Sequence, residues 1–388
     1  MTSKPKILIF TEWYVPGYLA GGPIRSVHNF AAHLQEAYEI RIVTSLYDLH
    51  QTQAYPNIPA NTWVQSPDHA GKVFYFDRDG LSLGAMRALI QEEAPAFIYL
   101  NSIFSLKFSY WPLWIARSRD IKAKVVLATR GMLQPTHMAQ YAYKKVPFTW
   151  VFRALGFPRQ IRFHATDEDE IQEIKKWMGQ QSEVMMVPNL PARVQEKPAT
   201  ASKKSESLSL YYISRISGLK NISYLLDLLM DTPYPVSLDI YGPIDEKPYW
   251  EQCLEKIQEL PEHIQVQYCG TVAHQDQPEV LQPYHFLCLP THGENFGHAI
   301  FESFVLGKPV LISNNTPWLQ LAAQQMGWDI PLDQPQEWRE ALQTAYEMDQ
   351  PTYTQYAQAA FEFARTYAQK EGLVDRYQAL FHAKTEKS

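Results

Sequence analysis

A chain of 388 residues, 46% hydrophobic and 20% charged, is long enough for two cores and too apolar for a disordered protein. Its formal net charge of −6 argues against general nucleic-acid binding. The three cysteines, Cys253, Cys269 and Cys288, are too few and too unevenly spaced for a disulfide framework, and they read as buried thiols in a reducing compartment.

The opening MTSKPKILIF has only a short apolar run before Thr11 and Glu12, which predicts neither a signal peptide nor a spanning helix. No later run nears the roughly twenty apolar residues a span needs. The expected location is cytoplasmic, at most peripheral on the inner face of the plasma membrane. Residues 6–10 read as a strand, after which Gly17, Gly21 and Gly22 loosen a loop and Pro23 suits a first helical turn. Ile24, Val27, Phe30, Ala31 and Leu34 then follow at helical spacing. Strand, glycine loop and helix make a phosphate-binding opening, without the G-x-G-x-x-G of dinucleotide oxidoreductases. Short apolar runs recur at 40–44, 73–76, 97–100, 125–128 and 162–165 with helical patterns between several of them, which means a doubly wound α/β domain. Asp77-Arg78-Asp79 is a D-x-D triplet too common to mark a metal site.

Thr129-Arg130-Gly131-Met132 follows the run ending at Ala128, where the carboxyl end of a strand faces a ligand crevice. Arg130, with His137 as its rival, is a candidate to meet a phosphate or acceptor charge, and a structural salt bridge is the competing reading. From Lys107 to Arg162 the only acidic residue is Asp120, while Lys144, Lys145 and Arg153 alternate with Trp114, Tyr141, Tyr143 and Trp150. That mixture suits an anionic membrane surface, and it equally suits core aromatics with solvated lysines. Nucleic acid, the other partner of such a mixture, is disfavoured by the net charge.

The polar stretch PARVQEKPATASKKSES separates two halves, with expected domains at 1–192 and 206–367, a linker at 193–205 and a terminal helix at 368–388. After a strand at 208–213, Arg215 and Lys220 precede a helix at 222–229, a place from which two cations can reach one diphosphate. Runs at 237–241 and 266–269 each end on a glycine, Gly242 and Gly270. Runs at 286–289 and 310–313 enclose a helical pattern at 297–306 that Gly307 and Pro309 end, so this is a βαβ unit. The loop before that helix, Gly293 to Gly297, offers backbone N–H groups where the helix dipole favours an anion. Glu294 and Glu302 stand eight positions apart. That is about 12 Å along a helix, too far for a retaining glycosidase pair at about 5 Å. They suit a long ligand gripped at two points, a sugar, a diphosphate and a ribose in a row. His292 and His298 flank Glu294 without metal-site spacing. Helical patterns at 338–346 and 353–381 close the chain.

P-T-x-G-E-x-F-G, Glu294-x7-Glu302, the following GKPVLIS and the upstream Arg215-x4-Lys220 together resemble glycosyltransferase family 4, the retaining sugar-nucleotide transferases of GT-B fold. RGML and TPW are similar to stretches of bacterial transferases that build lipopolysaccharide, capsule or exopolysaccharide. The resemblance implies an α/β GT-B fold, two doubly wound Rossmann-like domains facing a cleft, with the C-terminal helix crossing back to the first domain. It implies transfer from a nucleoside-diphosphate sugar, a UDP-sugar foremost, to a hydroxyl of a saccharide or lipid-linked saccharide. By the same resemblance Arg215 and Lys220 neutralise the leaving diphosphate, Glu294 holds sugar hydroxyls and Glu302 holds the ribose. Gly21 and Gly22 lie over the donor diphosphate and the acceptor, and Val272 lies near the nucleobase. Asn295, Phe296, Gly297 and His298 form the phosphate loop, His298 through its backbone N–H. Many members have a histidine where this chain has Arg130. No metal and no cofactor beyond the sugar-nucleotide substrate is implied. Two rivals stand beside this reading: a sugar-nucleotide epimerase of the same architecture, and a non-catalytic sugar-nucleotide binding protein.

Overall fold

The runs at 97–100, 125–128, 286–289 and 310–313 become strands buried on both faces, as parallel sheets covered by helices require, whereas the run at 266–269 joins a partly exposed edge strand. The computed structural model describes residues 4–67, 69–194, 200–369 and 372–382. The chain divides into two units, 1–190 with 370–388, and 191–369.

In the first unit β1 (Lys6–Phe10), β2 (Glu39–Ser45), β3 (Trp63–Gln65), β4 (Lys72–Phe76), β5 (Phe97–Leu100), β6 (Lys124–Ala128), β7 (Ile161–Ala165) and β8 (Glu183–Met186) form one sheet of order β3-β4-β2-β1-β5-β6-β7-β8. Pairing is parallel throughout except between β3 and β4. The period of two in β1 supplies two cores at once. Leu8 and Phe10 join Ile98, Leu127 and Phe163 on one face, while Ile7 and Ile9 join Val27, Phe30 and Tyr99 on the other.

The second unit holds β9 (Ser209–Ile213), β10 (Val236–Tyr241), β11 (Ile264–Tyr268), β12 (Phe286–Leu289), β13 (Val310–Ser313) and β14 (Gly327–Ile330) in the order β11-β10-β9-β12-β13-β14, all parallel. Both units are doubly wound and Rossmann-like, the architecture expected. β14 lacks a sequence signature because it opens on Gly327, whose φ is +128° and whose added Cβ would stand 1.9 Å from the Val310 carbonyl oxygen. Only glycine lets this edge strand approach β13. β8 escaped notice because its EVMM is only partly buried.

Three expectations are corrected. The tail at 353–381 is not one helix: Gln350–Ala368 lies in the second unit, Gly372 takes a φ of +80°, and Leu373–His382 lies in the first. Tyr377, Leu380 and Phe381 are buried there, Phe381 packing on Phe97 at 5.0 Å between ring centroids. Apolar spacing runs through the break because each segment covers a core, and periodicity does not say whose. The stretch expected as a linker is partly packed, with Ala201 and Lys203 buried against the second unit. The Lys203 ammonium donates to the carbonyls of Ser207 and Met348 at 2.6 and 3.0 Å. Of that stretch 195–199 lie outside the described residues, as do 370–371 and 383–388 of the terminal helix. Finally, Cys253 and Cys288 are buried but Cys269 is partly exposed.

Each unit also buries a histidine that is held neutral, His164 in the first and His285 in the second. His164 donates from Nε2 to the Val187 carbonyl at 2.7 Å and accepts the Tyr99 hydroxyl proton at Nδ1, 2.8 Å away. His285 donates from Nε2 to Ser202 at 3.1 Å and accepts the Ser209 N–H at Nδ1 at 3.0 Å. Burial pushes His164 down to about 3, helped by the Arg130 guanidinium, and pushes His285 down to about 4. An unfolded histidine titrates near 6.5, so acid protonates the unfolded chain first. Their contribution is complete above about pH 6.5 and is lost as the pH falls toward 4. Urea unfolding at pH 7.5 and pH 5 should therefore show a lower midpoint in acid, and the His164→Gln, His285→Gln double variant should show a smaller drop than the parent. An equal drop would remove these two rings as the cause.

Candidate functional site

In the second sheet the strand order reverses between β9 and β12, since the chain continues from β9 to β10 on one side and from β12 to β13 on the other. Loops leaving the carboxyl ends of two such strands diverge and leave a ligand crevice. The loop after β9 carries Arg215 and Lys220, and the loop after β12 carries Glu294. They meet there: Lys220 Nζ lies 2.6 Å from Glu294 Oε1, with both side chains largely buried. Backbone bonds fix the approach. His292 N–H and the Thr291 hydroxyl both donate to the Leu219 carbonyl, at 2.8 and 3.2 Å, and Glu294 N–H donates to the Asn315 carbonyl at 3.1 Å. The pair attracts more strongly than a solvated one, at a cost in desolvation that only a partner of the right charge offsets.

Beside it starts the helix His298–Val305, with Gly297 as its N-cap at φ +74° and no side chain capping it. First-turn N–H groups have no intrahelical acceptor, so this end is suited to an anion. A Cβ on Gly297 would meet Ile300 Cδ1 at 3.0 Å, which adds crowding to the strained φ. Asn295 is half-buried in the same loop. The Phe296 ring is core, 5.2 Å from Trp318 and 5.8 Å from Phe301, and its carbonyl accepts Trp318 Nε1–H at 2.6 Å. The loop rests on that ring, and only backbone atoms of Phe296 remain for a ligand.

Glu302 lies further along the helix and its Oε1 is 3.1 Å from His274 Nε2. His274 follows Val272 in the loop after β11, so the structure brings Val272 and Glu302 to one side of the site. The Tyr211 hydroxyl donates to Ser303 Oγ at 2.6 Å, and Ser303 in turn donates to the Ala299 carbonyl at 2.8 Å, pinning the helix to β9. Arg215 Nη1 lies 2.9 Å from Asp245 Oδ2 in the loop after β10, and Gly218 N–H donates to Glu246 Oε2 at 3.1 Å. The two cations expected for a diphosphate are thus already neutralised by carboxylates. Asp245, Glu246 and His274 were missed, and the available signal was their place just after strand-glycine steps. Tyr212 was missed as well. Its hydroxyl is buried with no hydrogen-bond partner among the described residues, and Glu294 and Arg215 both act on it electrostatically.

Gly21, Gly22, Arg130 and His137 belong to the first unit. Gly21 caps the helix Gly22–Leu34 at φ +64°. Asn101, just after β5, links this start to Arg130: its Nδ2 donates to the Pro23 carbonyl at 3.1 Å, and its Oδ1 accepts Arg130 Nε at 2.9 Å. Arg130 also donates to Asn189 Oδ1 and, at 2.8 Å, to the Tyr99 hydroxyl. Its guanidinium is engaged at all three nitrogens by neutral oxygens, a structural role different from the salt bridge that competed with phosphate binding. Its turn is held by Glu170, wholly buried, which accepts from Gly131 N–H at 2.6 Å, Thr166 N–H at 2.7 Å and the Thr129 and Thr166 hydroxyls. His137 sits in the short helix Pro135–Ala139, where its carbonyl accepts Lys145 Nζ. Asp77 is a turn residue, accepting Gly80 N–H at 2.6 Å. Among the described residues no three His, Cys, Asp or Glu side chains converge so as to hold a metal ion.

Two variants separate these roles by stability. Glu170→Gln should lower the unfolding free energy by about 2 kcal/mol, since charged acceptors make the stronger hydrogen bonds and their buried donors would be left poorly matched. Tyr212→Phe should be neutral or up to about 1 kcal/mol more stabilising, because it removes an unsatisfied buried hydroxyl. Chemical denaturation of both reads the difference directly.

Residues 194–363 match the family model described as glycosyl transferases group 1. The D-rhamnosyltransferase WbpZ of Pseudomonas aeruginosa is 27% identical over 136 residues, a match that spans 34% of each chain. Among solved structures, Alr3699/HepE of Anabaena, determined in complex with UDP and glucose, superposes with a TM-score of 0.69 at 18% identity over 97% of this chain and 98% of that one. WaaG, a glycosyltransferase involved in lipopolysaccharide biosynthesis, gives 0.62 at 15% identity over 97% and 100%. The chain has the GT-B fold, and the match to the group 1 glycosyl transferase model falls within its second unit.

Proposed function

We propose that this protein is a retaining, metal-independent glycosyltransferase of family 4, moving a sugar from a nucleoside-diphosphate sugar to a saccharide or lipid-linked saccharide in bacterial surface polysaccharide synthesis. The observation that carries this is the meeting of Lys220 and Glu294 at the β9–β12 switch point, beside an uncapped helix N-terminus, with Glu302 further along the same helix. UDP is the first candidate carrier, since HepE was determined with UDP and glucose. The match to a D-rhamnosyltransferase and the likeness to WaaG support the acceptor class.

A diphosphate arriving at the helix start competes with Glu294 for Lys220 and with Asp245 for Arg215. Both cations pass from carboxylate to phosphate, and Glu294 is released to accept hydrogen bonds from sugar hydroxyls. As the bond between the anomeric carbon and the phosphate oxygen breaks, negative charge builds on the diphosphate. Arg215, Lys220 and the helix N–H groups stabilise it where it forms. The acceptor oxygen bonds to the anomeric carbon on the face the diphosphate leaves, and its proton goes to the departing phosphate oxygen. Configuration is thereby retained. Glu302 accepts from the ribose hydroxyls.

Thermal unfolding with UDP, GDP, ADP and CMP, each with magnesium and with chelator, tests the donor. A ligand at a hundred times its dissociation constant stabilises by about 2.7 kcal/mol, a shift of several degrees. One nucleoside diphosphate should shift the transition, with or without chelator. Glu302→Ala should weaken nucleotide binding, whereas Glu294→Ala should abolish transfer while largely sparing binding. Equal loss of both properties in both variants would sink this division of labour. An isomerised donor without acceptor product would move the assignment to an epimerase.

A further inference from the structure

The helix Ala142–Ala154 has two apolar faces. Val146, Phe148, Thr149 and Phe152 turn inward onto the first unit's core. The opposite face is a second stripe at helical spacing, Tyr143, Pro147, Trp150 and Val151, where a solvated helix would carry charge. Trp150 is 74% exposed, Tyr143 70% and Val151 53%, all high values for such side chains.

The stripe is flanked by cations. Lys144 Nζ lies 5.4 Å from the Tyr143 ring, and Arg153 is exposed at the far end. A second element extends the patch. Trp114, 48% exposed, packs on Phe157 at 6.2 Å, and Arg117 lies over both rings while donating to the Leu155 carbonyl at 3.0 Å. The single acid of the surrounding sequence, Asp120, is bound to Arg87 at 3.1 Å. The basic stretch expected from Lys107 to Arg162 therefore contracts: Arg130 and Arg162 are spent inside the unit, the latter on Glu183 and the Leu380 carbonyl.

We propose that the outward face of this helix, with Trp114 and Arg117, docks the protein on an anionic lipid bilayer. Amphipathic rings of Trp and Tyr seat at the headgroup level, and flanking Lys and Arg meet anionic headgroups. In a chain of net charge −6, repelled as a whole by such a surface, this local basic face supplies the attraction. No helix of the described residues is long and apolar enough to cross a membrane, so the contact is with the surface. The inference stands independently of the transfer reaction.

Flotation with phosphatidylcholine vesicles, with and without phosphatidylglycerol, is the test. The protein should float with the anionic vesicles alone, and less so as salt shortens the screening length. Trp150→Ser with Tyr143→Ser should cut the bound fraction about tenfold, the loss expected from removing two partly inserted rings. Lys144→Glu with Arg153→Glu should remove the preference for anionic lipid. Because these side chains are solvent-exposed, the unfolding midpoints should not move, which separates lost docking from lost folding. Absence of binding, or equal binding to neutral vesicles, would overturn the proposal. So would a concentration-dependent dimer that Trp150→Ser dissolves, which would assign the face to a second copy.

Discussion

The second unit's site depends on an ion pair held where neither partner is free to turn back to water. Lys220 and Glu294 come from loops that leave neighbouring strands in opposite directions, and they touch only because the Leu219 and Asn315 carbonyls tie those loops down. Removing one partner would leave the other largely buried and unmatched, which costs more than the pair gives. Under the proposed function, an incoming diphosphate would avoid that penalty, offering Lys220 a replacement anion while the sugar's hydroxyls offered Glu294 replacement donors. Arg215 with Asp245 repeats the arrangement at a more exposed position, where exchange of partners is less costly.

The first unit uses its strand ends differently. Arg130 donates to Tyr99, Tyr99 to His164, and His164 to the Val187 carbonyl, a chain that sets the direction of every proton along it. Asn101 couples this chain to the start of the helix after β1. Such fully satisfied networks rigidify a crevice. Where the second unit keeps ion pairs at its strand ends, the first holds its glycine loop and its arginine turn in one geometry.

What was legible in the sequence follows from what repeats. Buried strands announce themselves as short apolar runs, and each run's end marks the loop that follows, so the loops carrying Arg215, Lys220, Glu294 and Gly297 could be placed without coordinates. For Phe296 the motif gives a position and not a direction: its backbone belongs to the loop and its ring to the core. Glu170 was invisible because an acid in the first turn of a helix looks like an ordinary dipole partner, whereas here it is wholly buried and satisfies four donors from β6 and β7 exits. The tail was read as a single helix because amphipathic spacing survives a change of core.

The same limit explains the helix Ala142–Ala154. Its composition reads alike whether aromatic residues face a core, a lipid or both, since apolar residues lie all round it and no single stripe stands out. Once Phe148 and Phe152 are placed inward with Phe157, the positions left over are Tyr143, Pro147, Trp150 and Val151, and they form a stripe of their own. A core explains only the first set. The second set stands at helical spacing beside Lys144 and Arg153, with its largest ring the most exposed, and the proposed docking on a surface that welcomes both rings and cations accounts for it.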